Sequence, residues 1–205
     1  MLEIMDELQA TKTEKKESFW GDWNEWLKLG LIAVFIVIPF RIYIAQPFIV
    51  DGPSMSPTFM TSQYLIVDEV SYRFTTPERG SVLIFKYPKD PSKYFIKRII
   101  GLPGETVNIK NGQVSIINKD YPKGFTLKEF YVKFEKVDNY SYTLSNNEYW
   151  VMGDNRAESA DSRMWGPVPR ENFIGRPVIR LWPFNIWPGR ETEADKATTT
   201  NVQTN

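Results

Sequence analysis

Among its 205 residues the chain has no cysteine and no histidine, and its 25 Lys and Arg are matched by 25 Asp and Glu. Each absence excludes a chemistry. Without cysteine there is no disulfide framework, no thiolate metal site and no cysteine nucleophile. Without histidine there is no Ser-His-Asp triad and no imidazole ligand for zinc. A hydrolase built on this sequence must take its base from Lys, Asp, Glu or Tyr. The charge balance lacks the basic excess of a nucleic-acid binder, so no nucleic-acid partner is expected. No cofactor and no metal are expected either. What the chain has is apolar material, 42% in the nine apolar types and 15% aromatic, which argues against global disorder. Its length suits one compact domain with something left over.

Residues 1–28 are polar and carry seven acids against Lys12, Lys15, Lys16 and Lys28. Trp20, Trp23 and Trp26 recur every third residue, on one face of a helix. Leu29 to Phe40 is an uncharged run of 12, and beyond Arg41 the stretch Ile42 to Ala45 continues it. Alone, such a run suits a core helix or the centre of a signal peptide. Three features point elsewhere. Leu29 to Val50 holds one charge in 22 residues, an arginine near a helix end can snorkel, and the tryptophans stand where an interfacial belt belongs. No small-x-small cleavage site follows. Residues 29–47 are therefore expected to be an uncleaved transmembrane anchor in the lipid bilayer of the cell membrane. Four lysines precede it and no basic residue follows Arg41 until Arg73, so residues 1–28 are expected in the cytoplasm and the rest outside.

After Val50 the pattern changes to short runs of β-branched and aromatic residues. Tyr64 to Val67, Ser81 to Phe85, Tyr94 to Ile100, Glu148 to Met152 and Phe173 to Trp182 read as strands. Val107 to Ile109 and Gln113 to Ile117 flank Asn111 and Gly112, a strong two-residue hairpin signal. Residues 118–147 show no clear period and read as a variable insertion. Residues 48–189 are thus expected to form one mainly-β extracytoplasmic domain, and 190–205 a flexible polar tail.

Three clusters carry chemistry. Two prolines and a glycine between Gly52 and Pro57 fix a rigid loop that would hold Ser54 in one direction, as a nucleophile needs. An ordinary turn whose serine bonds its own backbone has the same composition. On a strand, Lys97 shares a face with Phe95 and Ile99 while Arg98 points the other way. A free lysine, with a pKa of about 10.4, is useless as a base at neutral pH. Burial against apolar side chains would lower it, whereas a snorkelling or paired lysine needs no such role. From Gly153 to Arg163, nine of 11 residues are charged, polar or glycine. They read either as a solvated loop or as a hydrogen-bonded scaffold that orients a catalytic side chain.

In this order, after an apolar anchor, the clusters resemble one family, the bacterial type I signal peptidases, which use a Ser/Lys dyad. Ser54, Met55, Pro57 and Thr58 match its nucleophile motif, and residues 79–82 its next strand. Residues 97–104 match its lysine motif, and Gly153 to Arg156 with Ser159, Asp161, Ser162 and Arg163 its closing motif. The resemblance covers roughly residues 20–188. It implies a signal-peptidase-like β-rich catalytic domain, with Ser54 as nucleophile and Lys97 as general base. Ser159 would hydrogen-bond and orient the lysine, Asp161 and Arg163 would form a supporting salt bridge, and Asp154 a further strut. Met55, Phe59, Phe95 and Ile96 match positions lining the substrate pocket, although core packing would use the same residues. The implied partners are signal-peptide-bearing pre-proteins, cut near the translocation machinery. Gly52 stands where some members carry a hydroxyl donor, so the oxyanion hole is expected from the Ser54 backbone N–H alone. Ala157 and Glu158 also depart from the common pattern. Residues 181–187 fit equally an apolar skirt on the bilayer or the end of a core strand. Two other functions remain open: a self-cleaving Ser/Lys repressor-type protease, and a non-catalytic tethered binding domain.

Overall fold

A computed structural model describes residues 23–43, 45–182 and 184–186, with side chains for all of these except 24, 37–43, 45, 182 and 184–186. The expected tail and most of the expected cytoplasmic segment lie outside the described residues. Helix α1 spans Trp23–Tyr43 and has no polar stripe. Leu29, Leu31, Ile32, Val34, Phe35 and Ile36 are each at least 50% exposed. Among the described residues, no helix is long and apolar enough to cross a membrane. Of the expected anchor, 29–47, side chains are described only for residues 29–36, 46 and 47.

Residues 45–47 are not helical. Strand β1 (Ala45–Ile49) pairs antiparallel with β2 (Tyr64–Asp68). Hydropathy alone does not separate a strand from a helix in so short a run. Pro47 is tolerated because β1 is the outermost strand of its sheet.

The larger sheet adds β3 (Val82–Tyr87), β4 (Asp90–Gly101), β9 (Glu148–Met152), β10 (Val168–Pro169) and β11 (Phe173–Trp182). Its order is β1-β2-β11-β3-β4-β9-β10, and β12 (Phe184–Ile186) pairs with β11. The smaller sheet contains β5 (Thr106–Lys110), β6 (Gln113–Ile117), β7 (Phe125–Thr126) and β8 (Tyr140–Thr143), in the order β7-β6-β5-β8. Asn111 and Gly112 turn the β5–β6 hairpin with φ of 51° and 81°, the left-handed pair that a two-residue turn requires. Two four-residue helices, α2 (Ser71–Phe74) and α3 (Ser162–Trp165), complete the described elements with one 3₁₀ turn at Arg170–Asn172.

The alternation read from the sequence is visible as burial. In β5 the side chains of Val107 and Ile109 are buried, and in β6 those of Val114 and Ile116, forming one cluster with Ile100, Leu144, Trp150 and Met152. A second cluster lies under β3, β4 and β9, around Leu83, Phe85, Ile99 and Val151. A third joins Val50, Met55 and Phe59 to Leu65 and Val82. That last cluster fixes the loop after β1 to the sheet.

Segment 118–147 is less irregular than its sequence suggests. It supplies β7 and β8 to the small sheet, pairing with β6 and β5. Strands of two and four residues are too short to leave a period in sequence. Between them, residues 128–139 run along the loop 153–163, with a bridge between Phe134 and Asn155.

Candidate active site

The loop 50–63 is closed by its own backbone. Val50 N–H donates to Gln63 O at 2.9 Å and Ser62 N–H to Val50 O at 2.8 Å. Within it, Met55 and Phe59 are wholly buried and linked by a Phe59 N–H to Met55 O bond of 2.8 Å. Gly52, at φ 88°, makes the sharp entry that an L side chain resists. These anchors leave Ser54 half-buried. Its carbonyl accepts from Asn155 N–H at 3.1 Å, so the loops 50–63 and 153–163 are joined at the serine itself.

Lys97 comes from the middle of β4, opposite Leu83 of β3. Its Nζ lies 2.7 Å from Ser54 Oγ and 3.0 Å from Ile96 O. The Phe95 ring is 5.5 Å away. Lys97 is only 4% exposed, and burial pulls its pKa down from 10.5 to about 8. Burial disfavours the ammonium because the apolar surroundings replace water that would solvate it. At pH 7 roughly a tenth of such lysines are neutral, against less than about one in a thousand for a free lysine.

Two carboxylates oppose that shift, Asp161 first and then Asp154. Each is already claimed by an arginine. Arg98 donates from Nε to Asp154 Oδ1 at 2.8 Å and from Nη2 to Oδ2 at 2.6 Å, in a pair 1% and 0% exposed. Thr58 Oγ1 adds a bond to Asp154 Oδ2 at 2.5 Å, tying the serine loop to the same carboxylate. Arg163 donates to Asp161 from Nε and Nη2, both at 2.8 Å. Desolvation works to raise the Asp161 pKa, but the Arg163 bonds outweigh it and the carboxyl is held below its ordinary value. An unpaired buried carboxylate near Lys97 would keep the amine protonated. The two guanidinium partners oppose that field, and burial still outweighs the carboxylates.

A family model for signal peptidases, peptidase S26, matches residues 23–182. The chain belongs to the signal peptidase family. It is 39% identical to a probable signal peptidase I-2 of Synechocystis sp. over 83% of this chain and 79% of that one. A signal peptidase I of Leptolyngbya laminosa is 37% identical over 78% of this chain and 80% of its own. The signal peptidase I V of Bacillus subtilis is 33% identical over 73% of this chain and 94% of its own. The protein is accordingly a hydrolase, a peptidase that removes signal peptides.

The other residues singled out for this peptidase fall into two groups. Ser54, Lys97, Asp154, Asp161 and Arg163 converge, as described. Ser159 is buried beside Gly153; its hydroxyl lies toward the Asp161 carboxylate, which it helps hold below its ordinary pKa, and among the described hydrogen bonds none joins it to Lys97. An added Cβ at Gly153 would collide with Ser159 Oγ and Ser54 O, so this glycine lets the two loops close together. Met55 and Phe59, at 0% exposure, offer no surface to a ligand and serve the core. Phe95 and Ile96 are partly exposed. Phe95 stacks on Tyr87 with centroids 4.7 Å apart, and Ile96 packs against the Met55 cluster.

Arg98 and Thr58 were not singled out as supporting residues from sequence, yet both hold Asp154. The signal was available for Arg98. A buried strand residue facing away from Lys97 cannot remain a charged side chain without a partner. Glu105 is a second such staple, accepting from Arg79 Nη2 at 2.5 and 2.7 Å and from Leu102 N–H at 2.8 Å at the β4–β5 corner.

Proposed function

We propose that this peptidase works by a Ser54/Lys97 dyad on signal-peptide-bearing pre-proteins. The observation that carries the reading is the 2.7 Å approach of a buried lysine amine to a serine hydroxyl. Neutral Lys97 takes the proton of Ser54 as Oγ attacks the scissile carbonyl, then gives it to the leaving amine. The acyl-enzyme that results is hydrolysed by water, with Lys97 again accepting a proton. The Ser54 backbone N–H stabilises the oxyanion, since Gly52 has no side-chain donor to add. Asp154 and Asp161 hold the closing loop through their arginines. Ser159 has a buried hydroxyl beside Asp161 that would meet the lysine on a change of rotamer. Phe95 and Ile96 border the substrate, and Met55 and Phe59 support that border from beneath.

The substrate lies extended along the sheet, adding its backbone as a further strand. The anchor is α1 from residue 29 to 43, and residues 45–47 belong instead to β1 of the catalytic domain, with the N-terminus cytoplasmic and that domain outside, near the translocation machinery. Exposed apolar side chains along the described part of α1 support this, because a helix without a polar face needs an apolar surrounding. The exposed Trp23 and Trp26 at its start suit an interfacial belt.

The test is cleavage of a pre-protein with a small-x-small site by the full chain in detergent micelles. Wild type is expected to process it, with kcat/KM rising with pH to a plateau through an apparent pKa near 8. Ser54→Ala and Lys97→Met are expected to lose at least about 10⁴-fold. Processing retained by folded Lys97→Met overturns the dyad.

A further inference from the structure

Among the described hydrogen bonds none joins the stretch 128–139 to Ser54 or Lys97, yet it is fastened to the loop that closes over them. Glu129 accepts from Arg156 Nη2 at 2.5 Å and Nη1 at 3.1 Å, in a pair 10% and 4% exposed. Arg156 Nε turns back to Gly153 O at 3.0 Å. Asp138 takes the remaining edge of the Arg163 guanidinium, with Nη1 at 2.5 Å from Oδ2. Tyr131 lies with its ring 3.9 Å from the Arg98 guanidinium carbon. Ala157 N–H donates to Phe134 O at 3.3 Å. The other side of the stretch is tied to the β5–β6 turn. Gly112 N–H donates to Asp138 O at 3.0 Å and Asn111 N–H to Asn139 Oδ1 at 3.0 Å. A Cβ at Gly112 would sit 2.6 Å from Lys136 O, so the strap lies hard against the turn.

Each arginine that the strap grips also grips the active-site loop. Arg163 divides itself between Asp138, Asp161 and Arg156 O, and Arg156 between Glu129 and Gly153 O. We propose that residues 128–139 form a positioning strap in which Glu129 and Asp138, through Arg156 and Arg163, press the loop 153–163 onto Ser54 and Lys97. The strap keeps the loop closed over the dyad and holds Arg163 where it offsets the Asp161 carboxylate, while Arg156 pins Gly153 O. The groups that face Lys97 are Ser54 from its own loop, and Asp154 and Asp161 from the closing loop with Arg98 and Arg163 behind them. From β3 its neighbour is the uncharged Leu83. Loosening the strap hydrates the amine and frees Asp161 from its fixed partner, and both changes favour the ammonium.

The inference rests on the dyad reading, so its test has one arm that needs no activity. Full-length wild type, Glu129→Gln, Asp138→Asn and the double variant are labelled with ¹³C-lysine in micelles, and the Lys97 Cε resonance is followed against pH. Val137→Ser, on the same stretch and 78% exposed, is the control. Wild type and control are expected to titrate near 8. The double variant is expected to move up by about one pH unit, as one such unit is a tenfold change in the neutral fraction. In cleavage assays the acid limb is expected to follow, costing about tenfold in kcat below pH 8 with KM little changed and activity regained near pH 10. A double variant that melts earlier but titrates with wild type overturns the strap and leaves a structural staple. A shifted titration without peptidase activity in wild type upholds the strap and overturns the dyad.

Discussion

A lysine held in apolar surroundings destabilises the protein that carries it. With its pKa lowered from 10.5 to about 8, Lys97 costs about 3 kcal/mol at pH 7, since each unit corresponds to 1.36 kcal/mol. Lys97→Met fills similar space without the charge. It is expected to raise the unfolding free energy at pH 7 by up to about 3 kcal/mol while activity is lost. Ser54→Ala should leave stability nearly unchanged, because among the described residues its half-buried hydroxyl bonds only the lysine. Denaturant unfolding of the three proteins at pH 7 separates these outcomes, and a Lys97→Met protein less stable than wild type removes the strain attributed to the base. At Gly153 the expected effect is reversed in kind. Gly153→Ala forces Ser54 O and Ser159 apart, and a fall of about tenfold or more in kcat with the fold retained checks that closeness. Strand alternation placed Lys97 on an apolar face and the proline-rich loop singled out Ser54, so both were legible before the structure. The Ser159 hydroxyl was not, since its direction depends on how two loops meet rather than on any local pattern.

Among the elements, β4 does most to build the site, because its two faces carry opposite solutions to burying a cation. Lys97 sheds its proton toward neutrality, and Arg98 keeps its charge and takes Asp154 as partner. Removing one member of a buried pair leaves the other uncompensated. Asp154→Ala is therefore expected to cost about 3–5 kcal/mol, and urea unfolding measures it. Lys93→Met, which breaks the exposed Asp90–Lys93 pair on the same strand, should not change the midpoint measurably. Equal effects of the two substitutions would deny the buried pair its role in holding the closing loop. Most strands were legible because β-branched runs and the Asn111–Gly112 turn mark them locally. What stayed hidden was β1, masked by the apolar run it continues, and the strap, whose contacts join residues far apart in the chain, such as Asp138 with Arg163. Nothing in a stretch mixing Lys, Tyr and Phe announces a partner so far along the chain.

Across the molecule, the buried ionisable groups set an uncommon dependence of stability on pH. Asp161, Asp68 and Glu105 have lowered pKa values, with desolvation outweighed by their hydrogen bonds. The stability they contribute is fully present above their unfolded values of 3.8 and 4.5 and is lost as pH falls through their native values. Lys97 acts in another window. Between about 8 and 10.5 the unfolded chain binds a proton there that the native protein does not, so stability rises with pH. Tyr72, pushed up to about 12 by burial, and Tyr131, also raised by burial, act in the opposite sense. Their unfolded phenols ionise near 10 while the native ones stay protonated, so stability falls as pH climbs from there. The expected profile climbs steeply out of acid, rises again above pH 8, peaks near pH 10 and then declines. Thermal midpoints of the full chain in micelles from pH 3 to 11 trace it, and Lys97→Met is expected to erase only the rise between 8 and 10. A wild-type profile flat or falling across that interval would mean that the amine is solvated in the folded protein, and the general base would then have to be sought elsewhere.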